Sequence, residues 1–185
     1  VIIGGQVKEE SSGDITTAST KNSAGARGPM QMTVGAIEEV YKNRNEKTVK
    51  AAFAKAGIDI SKIASNKGFF TNSNKAQEVY LGPKGIVLGT AYQYLMGKEY
   101  KGNSTLVIGA FRVGKGNWNP LLKKLGITPD DYSTETLDDI VSRMKKAGFD
   151  KSGKKWETAT WERYSRLLAD VNKYTVLDTK KGGGN

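Results

Sequence analysis

Between residues 84 and 96 the chain places Ile86, Val87, Thr90, Ala91, Tyr94 and Leu95 at three- and four-residue spacing, the repeat of a helix that buries one face. Nowhere do apolar and polar residues alternate persuasively, so the expected class is mainly α. Helix punctuation recurs along the chain. Thr33 is placed to cap a helix over 34–44 with Ile37, Val40 and Tyr41 on one side. A second helix is expected over 47–56, stopped by Gly57, and a third over 73–81, stopped by Gly82-Pro83. Ser104 can cap a helix carrying Leu106, Val107, Ala110 and Phe111, broken by Gly114-Lys115-Gly116. A short helix over 120–125, ended by Gly126, follows, then one capped by Thr134 and carrying Leu137, Ile140, Val141 and Met144 up to Gly148. The last runs over 158–173 with Trp161, Tyr164, Leu168 and Val171 inward. Residues 1–11 read as the end of a helix that Gly13 stops. Residues 12–29, the turn at 61–64 and the segment 68–70 read as loop, and 179–185 as a flexible basic, Gly-rich tail.

Two absences narrow the chemistry. The 185 residues include no His and no Cys. The first removes the usual general base and the commonest metal ligand. The second removes thiol nucleophiles and any disulfide framework. Acid–base work in such a chain falls to Asp, Glu, Tyr or Lys, and neither a metal nor a cofactor is expected. The net charge of +10 favours polyanionic partners: nucleic acid, anionic membrane or bacterial wall. The excess is concentrated in residues 79–128, with Lys84, Lys98, Lys101, Arg112, Lys115, Lys123 and Lys124 against Glu99 alone. A solvated, Lys-rich surface is the plainer account of the same charge. No nucleic-acid motif accompanies it, so no nucleic-acid partner is expected. Val1-Ile2-Ile3 is apolar, but Gly4-Gly5 and then Lys8-Glu9-Glu10 interrupt it. Neither a leader nor a transmembrane span is expected there, and the abrupt start suits a piece of a longer protein.

Three separated stretches carry the functional argument. The first is Glu10-Ser11-Ser12 at a helix end. The second is Gly25-Ala26-Arg27-Gly28-Pro29-Met30-Gln31-Met32-Thr33, and the third Ala110-Phe111-Arg112-Val113-Gly114-Lys115-Gly116. Singly they are ordinary: a polar helix end, a flexible loop, a glycine helix stop. Together and in this order, with Gly89-Thr90-Ala91 and Tyr94-Leu95 between, the chain resembles the lytic transglycosylase family, akin to soluble lytic transglycosylase and goose-type lysozyme. The segment 25–33 is the specific part, matching Gly-x-x-Gly-x-Met-Gln-x-Thr. The resemblance covers residues 1 to about 170 and departs from the family at Phe111-Arg112, where Tyr-Asn is usual. Phe111 keeps the ring without the hydroxyl, and Arg112 puts a cation where the family has an amide.

The resemblance implies a lysozyme-like fold over 1–178, with 43–83 as a possible inserted lobe and 118–158 as further lineage-specific helical segments. It also implies cleavage of the MurNAc–GlcNAc β-1,4 bond of peptidoglycan, with Glu10 as the single general acid and then base, giving a 1,6-anhydro product. Such an enzyme acts at the cell envelope or periplasm or from a virion, within a larger virion or secretion assembly. The missing His and Cys set aside the zinc amidases and cysteine peptidases of the wall. Ser11 and Gln31 are candidates to position Glu10 or the sugar. Gly28 and Met30 belong to the same segment; a Met there is more often core than substrate contact, though in the family it lines the cleft. Phe111 and Arg112 stand at the sugar-contact position, and Tyr164 matches the late Tyr that hydrogen-bonds the acid. Glu9 is the rival carboxylate, but neighbours on a helix point about 100° apart, so one faces a cleft. Asp14, if it holds a water, makes the chain a hydrolysing goose-type lysozyme; otherwise it is a loop residue. Tyr92, Tyr94, Trp118 and Trp161 are either sugar platforms or core. A non-catalytic wall-binding or structural module gains some weight from Phe111-Arg112, and the retained Glu10, Gly28, Met30 and Gln31 weigh against it.

Overall fold

The computed structural model describes residues 28–59 and 82–147, with backbone only for Arg112 and Val113. Expectations for residues 1–27, the turn and loop at 61–64 and 68–70, the helices over 73–81 and 158–173, and the tail at 179–185 lie outside these. The described residues are mainly helical, 70% in helix and none in strand. The chain divides into two compact units, Gln6–Leu95 and the pair of segments Val1–Gly5 and Met96–Asn185.

In the first unit, helix α1 (Val34–Lys42) begins where Thr33 is expected to cap it, its hydroxyl accepting from Ala36 N at 3.4 Å. Ile37 and Val40 are buried, and the Arg44 guanidinium lies 4.3 Å from the Tyr41 ring centroid. Helix α2 (Lys47–Lys55) is capped by Glu46, whose carboxylate accepts from Val49 N at 2.9 Å. It ends at Gly57, where φ is +64°, and Ile58 N bonds back to Phe53 O. Val49, Phe53 and Ile58 are buried.

Helix α3 (Gly82–Glu99) starts two residues earlier than expected. Gly82-Pro83 opens this helix, because proline in a first turn loses no hydrogen bond there. The buried stripe also differs. Leu88, Ala91, Tyr92 and Leu95 are buried, whereas Val87, Thr90 and Tyr94 are half-buried. The helix is apolar on most sides, so periodicity alone does not select the inner face. The expected face looks onto α2 across an apolar groove of about 480 Å3, lined by Val49, Ala52, Val87 and Ala91 among others.

In the second unit, helix α4 (Ser104–Val113) is capped by Asn103 rather than Ser104. The Asn103 side chain accepts from Leu106 N at 3.2 Å and donates to the carbonyls of Tyr132 and Glu135 at 2.8 and 2.7 Å. Serine lacks the amide donors for that second task. Gly114, with φ +79°, is the corner into helix α5 (Lys115–Lys124). The break is one residue wide. Gly116 is helical, and Trp118 packs into the face of Gly109, where an added Cβ would collide with the indole ring. Trp118 is 1% exposed, and this burial holds a helix that Gly116 and Pro120 weaken.

Gly126, with φ +69°, ends α5, and Ile127 N returns to Leu122 O at 2.9 Å. A 3-10 turn (Asp131–Ser133) leads to helix α6 (Leu137–Lys146), capped by Thr136 rather than Thr134. Thr136 and Asp139 form a reciprocal capping box, which requires a carboxylate three residues after the cap. Ile140 and Met144 are buried, as their spacing predicts.

Candidate active site

Residues 28–33 form a tight turn whose conformation follows from its sequence. Gly28 takes φ +79°, and Gln31 N donates to Gly28 O at 2.9 Å, closing the turn. Pro29 is fixed near the φ that such a turn needs. Met30 is 0% exposed and seated against Gly89 of α3, where a built Cβ would lie 2.9 Å from Met30 Cε, 3.0 Å from Met30 Cβ and closer still to Sδ. Met32 is buried, and Thr33 caps α1. Two segments 59 residues apart (89 − 30) therefore meet through one methionine in one glycine notch.

Gln31 bears the cost of this arrangement. Its φ of +46° is left-handed, a conformation that costs a non-glycine residue on the order of 1 kcal/mol. The half-buried side chain curls back, Nε2 donating to the same Gly28 carbonyl at 3.0 Å. Met30 and Gly28 act here through packing and backbone shape. Gln31 and Thr33 are the half-buried polar residues of the segment, and the Thr33 hydroxyl is engaged in capping α1.

Phe111 is half-buried in the last turns of α4, and Arg112 lies in the same helix. Both belong to the unit containing Met96–Asn185, whereas Gly28, Met30 and Gln31 belong to Gln6–Leu95. Glu10, Ser11 and Tyr164 lie outside the described residues, as do Glu9, Asp14 and Trp161. Of the aromatic candidates, Tyr92 and Trp118 are core residues, 2% and 1% exposed. The Tyr94 hydroxyl donates to Glu46 at 3.1 Å.

Several polar arrangements have no counterpart in the sequence reading. Glu99 is held from two sides: Lys115 Nζ lies 2.6 Å from one carboxylate oxygen, and Asn119 Nδ2 donates to the other at 3.1 Å. Tyr100 donates to Asn119 Oδ1 at 2.6 Å, and its ring packs on Tyr132, centroids 5.2 Å apart. Burial, and then the charge of Glu99, push the Tyr132 hydroxyl above its ordinary pKa. This cluster fastens α5 to the end of α3, just after the Gly114 corner. Glu99 was visible as the lone acid among seven cations, though nothing in its spacing named Lys115 as the partner.

Glu135 is buried and pairs with Arg143 at 2.7 Å. Gln93, also buried, stands one turn beyond Gly89 on α3, and its Nε2 finds no acceptor among the described residues.

Among the described residues, no group of three or more Asp, Glu, His or Cys could hold a metal ion. No helix there is long and apolar enough to cross a membrane. Comparison with protein families, curated proteins and solved structures returns no match to this chain. The functional reading rests on the residues themselves.

Proposed function

We propose that this chain is a peptidoglycan lytic transglycosylase with a lysozyme-like helical fold. It cleaves the MurNAc–GlcNAc β-1,4 bond and leaves a 1,6-anhydro-MurNAc end. One observation carries the reading. The most specific segment of the resemblance, 25–33, is fastened by Met30 to Gly89, which belongs to a second segment of the same resemblance. Both segments thus have a shared physical purpose: the glycine notch receives the methionine, and the turn holds Gln31 in a strained, partly exposed position. Strain of this kind persists where the surroundings over-determine it, and functional sites are where it collects.

Glu10 is the acid in this reading. Its protonated carboxyl gives a proton to the glycosidic oxygen as the C1–O bond breaks. The substrate's N-acetyl carbonyl stabilises the positive charge at C1. Glu10, now a carboxylate, takes the proton from the C6 hydroxyl as O6 bonds to C1, so no water is consumed. Gln31 and Ser11 position the sugar or the acid, Tyr164 hydrogen-bonds the acid, and Phe111 and Arg112 flank the glycan. The partner is the glycan strand of the wall, met at the envelope or from a virion or secretion assembly.

The test is to digest purified peptidoglycan with the protein and weigh the soluble muropeptides. Products 18 Da lighter than hydrolysis products (about one water), carrying anhydro ends, are expected. Reducing ends would make the protein a lysozyme with Asp14 as the base for water. An absence of products would leave a wall-binding or structural module.

A further inference from the structure

The apolar groove between α2 and α3 has no part in the proposed cleavage chemistry. It holds about 480 Å3, within the range of small-ligand sites. Thr48 and Lys55 both line it and stand seven residues apart (55 − 48), so the groove runs about 10 Å along α2. Val49 and Ala91 are buried, and Ala52, Ala56 and Val87 are half-buried, so its surface is largely methyl groups.

Two of the three hydroxyls on its walls are already engaged by the protein. Thr90 Oγ1 donates to Ile86 O at 2.7 Å, and the Tyr94 hydroxyl donates to Glu46 at 3.1 Å. Peptide N–H and C=O groups laid in such a groove would lose water and find few partners, whereas an alkyl chain needs none. Lys55 is the charged side chain on the walls, and no acid lines them. It is exposed and makes no ion pair among the described residues. Lying in the last turn of α2, it meets the roughly −0.5 charge of that helix end, which reduces its charge without cancelling it. The groove is thus apolar along its length and cationic at one end.

We propose that this groove binds an alkyl chain ending in a carboxylate, the chemistry of a fatty acid. The chain lies between α2 and α3, and the carboxylate meets the Lys55 ammonium. The inference stands whether or not the protein cuts glycan.

The experiment titrates the full chain, by calorimetry below the micelle threshold, with hexanoate, octanoate, decanoate and dodecanoate, and with 1-octanol as an uncharged control. One site per chain is expected. Affinity should rise by up to about fourfold for each methylene until the groove is filled, and level off beyond. Lys55→Gln should weaken octanoate by about threefold and leave 1-octanol unchanged. Ala52→Leu fills the groove with another strong helix former and should weaken every ligand by about tenfold or more, at a melting temperature matching the wild type. A second measurement needs no variant: octanoate should shift the methyl resonances of Val49, Val87 and Ala91 in the wild type and leave those of Ile140 and Met144 in place. These shifts decide the matter if Ala52→Leu does not fold. Undiminished binding by a folded Ala52→Leu, or shifts spread over both sets of methyls, would overturn the site. Equal effects of Lys55→Gln on octanoate and 1-octanol would overturn the carboxylate assignment. Failure of every chain to bind the wild type would overturn the proposal and leave the groove to a protein partner or to another segment of this chain.

Discussion

Replacing Gly89 with Ala adds one methyl at the contact that organises the candidate site. Two opposing effects follow. Alanine stabilises a helix interior by about 1 kcal/mol relative to glycine. The new methyl also collides with Met30, and overpacking of this kind costs about 1–3 kcal/mol. The thioether end of Met30 can swing away, but its Cβ, 3.0 Å from the added atom, is fixed to the backbone of a tight turn. The turn itself must therefore give. A net loss of about 1 kcal/mol is expected for G89A, the middle of the overpacking cost less the helix gain, measured by urea unfolding with an unchanged m-value. In the M30A background the Sδ and Cε contacts are gone while the Cβ contact stays, and this residual clash roughly offsets the helix gain of alanine, leaving G89A close to neutral. The double-mutant cycle thus predicts a coupling of about 1 kcal/mol between residues 59 apart in sequence (89 − 30). Glycan cleavage should fall in G89A even where the protein remains folded, because the displaced turn carries Gln31. A G89A cost equal in both backgrounds to within about 0.5 kcal/mol would refute the notch as the contact that matters.

Arg143→Leu leaves the Glu135 carboxylate buried without its cation, and a loss of about 2–4 kcal/mol in urea unfolding is expected, moderated because the Arg143 side chain is 40% exposed. Tyr94→Phe removes the hydrogen bond to Glu46 and should cost about 0.5–1.5 kcal/mol, with helix content otherwise preserved by circular dichroism. Hydrogen bonds from Thr136 to Asp139 and from Thr128 to Asp131 hold both carboxyls below their ordinary pKa. Their contribution is fully present above the unfolded value of about 4 and is lost as pH falls through the lowered folded value. The wild-type melting temperature should therefore drop more steeply than that of D131N/D139N on acidification below about pH 4, with parallel curves above pH 5.

Much of the helical framework was legible because it depends on short-range chemistry. Thr33 caps α1, Gly57 and Gly126 end their helices, and Ile140 and Met144 turn inward, each for a reason contained within a few residues. Two misjudged features are local, the Thr136–Asp139 capping box and the opening of α3 at Gly82-Pro83, and the others depend on distant partners. Asn103 outcompetes Ser104 as a cap because its amide also reaches Tyr132 and Glu135, about thirty residues on. Helix α5 extends back through Gly116 because Trp118 finds the notch at Gly109. The inner face of α3 is set by Met30 and the rest of its surroundings, and no polar side of the helix marks it. In the candidate site, the pattern 25–33 singled out Met30 and Gln31 together. The fold separates their duties, burying the methionine against Gly89 and leaving the strained glutamine half-buried. Gly89 was legible as part of a motif, but its purpose required the methionine opposite.

The most direct test of the central claim compares Glu10→Gln with the wild type on purified peptidoglycan, at matched melting temperature. The account predicts anhydro-ended muropeptides from the wild type and a loss of release of about 100-fold or more in the variant, the size of a general-acid contribution. Undiminished anhydro product from Glu10→Gln would contradict the assignment of the acid.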